Sequence, residues 1–209
     1  MLEVHTFPTA NGIKVPIALE EMGLDYALVP VDLRKGEHKA GAFKALNPAA
    51  KVPVLIERTP DGQASLVLSE SAAILVYLAE KHGQLMPREE PARGKVFEQL
   101  FFHASAVSPA FLHAFYAAIA STPDPEAKAK TLAEVDRVLQ LLDHRLENNR
   151  FVAGDTFTIA DIAHFGWLWR CESIGASVDR YPALARWLGE MLSRPSVVSA
   201  LAKTQAAVG

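Results

Sequence analysis

The stretch FPTANGIK, residues 7–14, puts two short polar side chains, Thr9 and Asn11, between a segment with strand character and one with helical character. A turn from a strand into a helix directs backbone N–H groups and neighbouring side chains at one place, where a ligand could accept their hydrogen bonds. The alternative is structural, because Thr9 and Asn11 are also suited to cap a helix that starts near Gly12. Taken alone, the turn leaves both interpretations open.

A second candidate is the stretch LSESAAI, in which Glu70 and Ser71 open a helix. The helix N-terminus and the Ser71 hydroxyl can bind a carboxylate, and the Glu70 carboxylate can bind an ammonium group. These two residues could therefore hold a zwitterion. Simple helix capping explains the same residues structurally.

The third candidate is NPAAKVPVL, where Val52–Pro53 precedes a strand. A trans bond at this position would be ordinary, whereas a cis bond would be a deliberate feature of the fold. A cis bond would leave the Val52 backbone exposed, so that it could pair with a ligand. The residues alone do not decide between the two isomers.

Other familiar chemistries have no support in the sequence. It contains no GxGxxG, GxxxxGK[ST], GxSxG or CxxC pattern, and His103 and His113 stand ten residues apart on an apolar segment without an acidic cluster. The single cysteine, Cys171, lies beside Trp167 and Trp169 in an apolar segment, as expected of a small core residue. The sequence therefore predicts neither a metal site nor a cysteine nucleophile.

Composition narrows the classes of partner. The 209 residues carry a formal net charge of −3 with interspersed signs, so no basic stripe indicates nucleic acid or an anionic membrane. No apolar run approaches the length of a membrane span, and the first residues lack the features of a secretory signal. With only one cysteine, no internal disulfide can form, and these features together predict a cytoplasmic protein.

The candidate stretches lie on an alternating frame of strands and helices. Apolar patterns and turn signals in residues 1–82 predict the order βαβαββα, with a mixed four-stranded sheet and an edge strand that contains Pro30. A proline-rich linker follows at 83–94, and residues 95–209 predict only helices. The first of these helices is long and apolar, with a kink or break near Ser108–Pro109.

Together, the three stretches and this frame resemble the glutathione transferase superfamily, over essentially the whole chain. NPAAKVPVL is similar to the cis-proline segment of the family, and SESAAILVYLAEKHG is similar to its γ-glutamyl-binding helix start. FVAGDTFTIADIAHF is similar to its capping motif, where Thr158 and Asp161 suit a capping box. The resemblance implies an α/β thioredoxin-like N-terminal domain, an all-α C-terminal domain, and glutathione as co-substrate.

The opening turn resembles the bacterial Nu-class pattern, in which a Thr and an Asn two residues later take the place of the Tyr, Ser or Cys of other classes. The resemblance implies that Thr9 and Asn11 are catalytic and contact the glutathione sulfur. A free thiol has a pKa of about 8.5, and donors around the sulfur favour the thiolate. Lowering the pKa of the thiol by one to two units needs only about 1.4–2.7 kcal/mol, which two or three charge-assisted hydrogen bonds can supply.

The resemblance also implies the other site residues. The glutathione-binding residues are Thr9, Asn11, His38, Lys51, Val52, Pro53, Glu70 and Ser71. Candidates to line an electrophile pocket near the interdomain cleft, which could equally be core aromatics, are Phe7, Phe102, His103 and Tyr116. Two departures from the Nu-class pattern, Ala50 in place of a polar residue and HASAVSPAF in place of a glycine-rich stretch, leave the second substrate open.

Three functions fit these expectations. The first is a glutathione transferase that attacks a small electrophile with the glutathione thiolate. The second is a glutathione-dependent disulfide reductase or peroxidase, in which the electrons come from bound glutathione because the site offers no cysteine. The third is a non-catalytic adaptor on the same fold, against which the presence of Thr9, Asn11, Glu70 and Ser71 argues. Apolar surface on the long first helix of the second half predicts a homodimer.

Overall fold

A four-stranded sheet in the order β2-β1-β3-β4 forms the framework of the N-terminal region in the computed structural model, which describes all 209 residues. Its strands are β1 (Leu2–Thr6), β2 (Tyr26–Pro30), β3 (Val54–Arg58) and β4 (Ala64–Ser69). β1 runs parallel to β2 and antiparallel to β3, and β3 runs antiparallel to β4. The sheet is therefore mixed, and Pro30 lies on an edge strand as predicted, where its missing N–H interrupts no ladder.

Three helices alternate with these strands, which confirms the predicted order βαβαββα. They are α1 (Lys14–Met22), α2 (Gly41–Leu46) and α3 (Ser71–His82), and a short 3₁₀ turn at Glu37–Lys39 precedes α2. α1 ends at Gly23, whose φ of 66° is the left-handed conformation that glycine adopts at low cost. Almost all of α1 is buried, because it packs within its unit against α3 and the C-terminal helix.

The C-terminal helix α9 (Pro195–Ala206) packs on α1 through two glutamates. Glu20 accepts a bond from Lys203 at 2.6 Å, and Glu21 accepts bonds from Arg194 and Ser196. Both glutamates lie in the last part of α1, so the end of that helix is held by polar contacts in addition to apolar packing.

The chain divides into two compact units, Met1–Met86 with Ser193–Gly209, and Pro87–Leu192. This grouping assigns the last residues to the first unit, because α9 packs on α1. The predicted boundaries, 1–82, 83–94 and 95–209, remain a prediction about the folding domains.

The second unit is helical, as predicted. It contains α4 (Ala92–Phe102), α5 (Ser108–Ala118), α6 (Pro125–Glu147), α7 (Ile159–Leu168) and α8 (Pro182–Ser193). The predicted break near Ser108–Pro109 is a π-helical turn at His103–Val107 that joins α4 to α5. None of the nine helices has the combination of length and apolar character that a membrane span requires.

A buried capping box opens α7, as the sequence predicted. The Thr158 hydroxyl accepts a bond from the Ala160 N–H, and the Asp161 carboxylate accepts a bond of 2.9 Å from the Thr158 N–H. Asp161 also accepts bonds of 2.9 Å from the Val152 N–H and from the Trp187 indole. The carboxylate therefore ties the preceding loop and α8 to the start of α7.

Candidate functional site

The register of the sheet brings the three candidate stretches to one end of the N-terminal unit. His5 pairs with Val54 across β1 and β3, and Val54 pairs with Ser69 across β3 and β4. The opening turn continues from β1 just beyond this row, the Val52–Pro53 segment leads into β3, and Glu70 follows β4 directly. These segments therefore leave the sheet at the same edge, although they are far apart in the sequence.

The opening turn is compact and internally bonded. The Thr9 hydroxyl oxygen accepts a bond of 3.0 Å from the Gly12 N–H, and the Thr6 hydroxyl donates a bond of 2.7 Å to the Gly12 carbonyl. A Cβ atom at position 12 would lie 2.0 Å from the carbonyl oxygen of Phe7, so only glycine fits there. The bond to Thr9 closes the turn before α1 and does not cap the helix, because α1 begins at Lys14 and its N-cap, Ile13, has no side-chain capping bond. The structural interpretation of Thr9 and Asn11 as a cap pair is therefore wrong, and the Thr9 O–H proton remains as a donor.

Asn11 contacts a residue that the sequence analysis did not single out. The Nζ atom of Lys14 donates a bond of 2.7 Å to Asn11 Oδ1, and the Lys14 side chain is only 1% exposed. A sequence signal for this lysine was present, because Lys14 stands four residues before Ala18 in the apolar stripe of α1. A lysine in such a stripe is rare unless it has a partner.

Burial controls the charge of Lys14. Removal from water lowers the pKa of this lysine to about 7, and the negative charge of Glu70 opposes the shift. The same interaction shows that the two candidate stretches are electrostatically coupled, since Glu70 follows β4 while Lys14 begins α1. Among the cations at this end of the sheet, Lys14 has the pKa that is shifted furthest from its ordinary value.

Glu70 occupies an unusual backbone conformation at the start of α3. Its φ is 68° and its ψ is 109°, a region that is costly for a residue with a Cβ atom. Its exposed side chain makes no capping bond, so simple capping does not explain it. Ser71, the first residue of α3, is half-buried beside it.

The Val52–Pro53 bond is cis, as the resemblance implied. Buried Asn47 organises the preceding loop, because its amide donates a bond of 2.8 Å to the Lys51 carbonyl and accepts a bond of 3.1 Å from the Ala49 N–H. In this loop Lys51 is exposed and Val52 is half-buried, while Pro53 is buried. The Lys51 side chain is therefore accessible to a ligand, and Val52 is partly accessible.

His38 lies in the 3₁₀ turn that follows the loop after β2, and its side chain is half-buried. Its Nδ1 atom is buried without a hydrogen-bond partner in the protein. A buried ring nitrogen without a partner is costly, so a ligand group would stabilise it. Nothing in the structure joins His38 to Thr9 or Asn11 by a direct bond, and its role remains a prediction.

The aromatic side chains of the predicted electrophile pocket have different environments. Phe7 is half-buried, and the Arg34 guanidinium lies 5.4 Å from the centre of its ring. The same guanidinium pairs with the Asp32 carboxylate and lowers the pKa of that carboxyl to about 2. In the second unit, the His103 ring packs edge-on against His164 with centres 5.1 Å apart. Phe102 is half-buried and Tyr116 is 59% exposed. A shared pocket remains a prediction for these four residues.

Cys171 lies in a 3₁₀ turn of the second unit. Its side chain is buried, and burial raises the pKa of the thiol. Both properties oppose the formation of a thiolate, in agreement with the predicted role as a core residue. No group of three or more His, Cys, Asp or Glu side chains is arranged to hold a metal ion.

Two family models match nearly the whole chain. The glutathione S-transferase N-terminal domain matches residues 11–81, and the glutathione S-transferase C-terminal domain matches residues 71–195. The chain belongs to the glutathione S-transferase family, which confirms the resemblance inferred from its motifs and the thioredoxin-like and helical fold that this resemblance implied.

Individual relatives are similar to this chain along almost their whole length. The chain is 36% identical over 210 residues to the disulfide-bond oxidoreductase YfcG of Escherichia coli, covering 98% of this chain and 96% of the relative. A glutathione transferase family member from Pseudomonas fluorescens, crystallised with two glutathione molecules, is 32% identical with a TM-score of 0.87, over 96% and 92% of the two chains. A Pseudomonas putida glutathione transferase with one bound glutathione disulfide per subunit is 31% identical with a TM-score of 0.86, over 96% and 90%.

Proposed function

We propose that this protein is a glutathione-dependent enzyme that stabilises the glutathione thiolate at the turn between β1 and α1. The observation that carries the proposal is the turn itself. The Thr9 hydroxyl keeps its proton as a donor, and Asn11 keeps its Nδ2 group while its oxygen is engaged by Lys14. Two donors of this kind favour a thiolate over a thiol, so Thr9 and Asn11 act as the catalytic residues.

The rest of the glutathione molecule is held by the neighbouring segments. Glu70 binds the ammonium group of the γ-glutamyl moiety, and Ser71 with the N-terminus of α3 binds its carboxylate. The Val52 backbone pairs with the cysteinyl residue beside Pro53. Lys51 and His38 bind at the glycine end, where an acceptor or donor would satisfy the buried Nδ1 atom of His38.

The reaction that we favour is the reduction of a small disulfide by two glutathione molecules. The first glutathione thiolate attacks one disulfide sulfur, which forms a mixed disulfide and releases the other sulfur as a thiolate. A second glutathione attacks the mixed disulfide, so that glutathione disulfide forms, the second substrate thiolate leaves, and both leaving groups take up protons. The two electrons come from glutathione, because the only cysteine of the chain, Cys171, is buried.

The names of the relatives support this choice. Two of the curated relatives are disulfide-bond oxidoreductases of Escherichia coli, at 36% and 30% identity. One solved neighbour holds two glutathione molecules, and another holds one glutathione disulfide. These are the forms of glutathione that this reaction consumes and produces.

Conjugation of glutathione to a small electrophile is the second candidate function, because the same thiolate is the nucleophile in both reactions. In that reaction the thiolate forms a carbon–sulfur bond and a leaving group departs. The electrophile would lie against Phe7, Phe102, His103 and Tyr116. The membership in the glutathione S-transferase family favours keeping this candidate.

Turnover with three substrates tests the proposal. The purified protein is assayed with reduced glutathione and a small disulfide, a hydroperoxide, or a chloronitrobenzene, and binding of reduced and oxidised glutathione is measured by calorimetry. We expect disulfide turnover to exceed conjugation, and both to fall in the Thr9→Ala variant. Binding of glutathione without turnover of any substrate would instead favour the adaptor, and absence of binding would refute the proposal.

A further inference from the structure

We propose that Lys14 is a positioning residue for the reaction, because it fixes the Asn11 side chain with its oxygen turned towards α1 and its N–H₂ group turned towards the glutathione sulfur. This inference rests on the proposed function, in which Asn11 donates to the thiolate. It concerns a residue that would not itself contact glutathione.

When Lys14 is protonated, the contact between the two side chains has one direction. An ammonium group only donates hydrogen bonds, and the acceptor of an asparagine is its Oδ1 atom. At 2.7 Å from Lys14 Nζ, the amide oxygen of Asn11 must therefore face the lysine. A rotation that exchanged oxygen and nitrogen would put N–H₂ against the ammonium group, leaving a donor against a donor.

Without such a partner, an asparagine beside a thiolate has two competing orientations. The amide nitrogen stabilises the anion, whereas the amide oxygen repels it. Lys14 is 1% exposed and Asn11 is half-buried, so the lysine holds the amide from the protein side and leaves the opposite side for a ligand. The amide is thus oriented before glutathione binds, which avoids a cost of reorganisation.

The ammonium form of Lys14 enforces this orientation, because it has three donors and no acceptor. The neutral amine can still donate to Asn11 Oδ1, but its lone pair can also accept a bond from the Asn11 N–H₂ group, so the neutral form fixes the amide less strictly. The negative charge of Glu70, at the start of α3, acts on Lys14. Two cations of the C-terminal segment pair further along α1, where Lys203 of α9 contacts Glu20 and Arg194, just before α9, contacts Glu21.

Two other roles for Lys14 are distinguishable from positioning. If the lysine acted on the thiolate through its charge, its effect would persist in a protein without Asn11. If the lysine only stabilised the fold, its removal would change the melting temperature and leave the thiol of bound glutathione unaffected. A double-mutant cycle separates these roles.

The cycle uses wild type, Asn11→Ala, Lys14→Met and the double variant Asn11→Ala/Lys14→Met. The pKa of the bound glutathione thiol is read from the ultraviolet absorbance of the thiolate as pH is raised. Methionine matches the length and apolar body of the lysine side chain without a donor, so the variant is expected to fold. Lys203→Met serves as a matched control, because it removes another cation bound to α1.

We expect Lys14→Met to raise the pKa of the bound thiol by about half to all of the rise in Asn11→Ala, which is itself roughly one pH unit. The double variant should titrate like Asn11→Ala alone, and Lys203→Met should titrate like wild type. Lys14→Gln, which keeps a neutral N–H donor, should recover part of the wild-type titration.

Three outcomes overturn the positioning role. Additive shifts in the double variant would assign Lys14 a direct charge effect, and an unchanged titration in Lys14→Met would assign it a structural role. A Lys203→Met titration as altered as that of Lys14→Met would indicate a general charge effect. An unchanged titration in Asn11→Ala would instead refute the proposed function of Asn11, and the two failures are therefore distinct.

Discussion

The two proposed catalytic side chains differ in the bonds that the folded protein already makes to them. Thr9 accepts a bond from the Gly12 N–H, and its hydroxyl proton is still available. Asn11 is held through its oxygen by Lys14, so its nitrogen is the available donor. The bond within the turn and the catalytic interpretation of Thr9 are therefore compatible, because a hydroxyl can accept and donate at the same time.

Removal of the Thr9 hydroxyl should change the pH dependence of turnover. In Thr9→Ala the thiolate loses one donor, and we expect the rate to fall about tenfold near pH 6.5 and less than about twofold near pH 9, where the thiolate forms without help. Thr9→Ser, which keeps the hydroxyl, should restore the wild-type profile. A uniform loss across this pH range, with a lower melting temperature, would indicate that Thr9 only stabilises the turn.

Replacement of Glu70 should weaken glutathione binding and leave the fold unaffected. Glu70→Ala removes the proposed partner of the substrate ammonium group, which we expect to cost roughly 2–4 kcal/mol of binding free energy. The free energy of unfolding should change by less than about 1 kcal/mol, because the Glu70 side chain makes no capping bond. Calorimetry with glutathione and thermal unfolding measure the two quantities; normal affinity with a large loss of stability would contradict the assignment.

Lys14 should make stability depend on pH in alkaline solution. Its pKa is about 7 in the folded protein and 10.5 in an unfolded chain, so between these values the unfolded chain holds a proton that the folded protein has lost. The free energy of unfolding therefore rises with pH across this window, and the penalty for a buried charged lysine is complete below it.

The corresponding prediction compares wild type with Lys14→Met. The variant should be more stable near pH 6, and its advantage should decrease by on the order of 3 kcal/mol between about pH 6.5 and pH 10. Denaturant unfolding at several pH values measures the free energy of unfolding of both proteins. The difference between the two values cancels the contribution of titratable groups that both proteins share. A constant difference over this range would show that Lys14 keeps its usual pKa in the folded protein.

At the scale of single elements, α7 depends on the carboxylate that caps it. Asp161 is fully buried and accepts bonds from the N–H groups of Val152 and Thr158 and from the indole of Trp187. An asparagine at this position would present N–H₂ to at least one of these donors. Asp161→Asn should therefore lower the free energy of unfolding by about 2–4 kcal/mol.

A matched substitution controls for the amide itself. Asp124 caps α6 at an exposed position through one bond to the Ala127 N–H, and asparagine is an equally good N-cap. Asp124→Asn should change stability by less than about 0.5 kcal/mol in the same denaturant titration. Equal effects of the two substitutions would mean that the burial of the Asp161 hydrogen bonds adds nothing to the free energy of unfolding.

Local pattern was sufficient to predict the elements, because their signals lie in neighbouring residues. Gly23 and Gly83 end α1 and α3 in the left-handed conformation that glycine favours, and the predicted Thr158 box opens α7. The π-helical turn at 103–107 was predicted only as a break. Pro109 lacks the N–H that would continue the helical ladder, and the shift of the ladder to an i→i+5 bond, from the Ser108 N–H to the His103 carbonyl, depends on the packing of both helices.

Only the site residues that belong to a short sequence motif could be predicted. Thr9, Asn11, Glu70 and Ser71 came from patterns of neighbouring residues, and the register of the sheet brings their segments to one edge. The bond between Lys14 and Asn11 was not predicted, because it depends on the direction of two side chains at the first turn of α1. The positive φ of Glu70 likewise follows from the path of the chain between β4 and α3.

At the scale of the whole molecule, exposed apolar side chains on α4 and at the end of α5 remain unexplained by packing within the chain. Phe101 is 69% exposed, and Ile119, which follows α5, is 61% exposed. Phe97 stacks on Phe101 with ring centres 6.4 Å apart, which extends the apolar surface along α4. Large exposed apolar residues are typical of an interface, and we expect a second copy of the chain to cover these.

Light scattering should show a particle of twice the 22.7 kDa chain mass at micromolar concentration. Phe101→Glu places a charge on the proposed interface and should shift the protein towards the monomer by at least tenfold in dissociation constant, because a buried unpaired carboxylate is costly. Val198→Glu, at a 54% exposed position on α9, is the matched control and should remain dimeric. A wild-type monomer at these concentrations would refute the dimer, and a Phe101→Glu dimer as tight as wild type would show that the interface lies elsewhere.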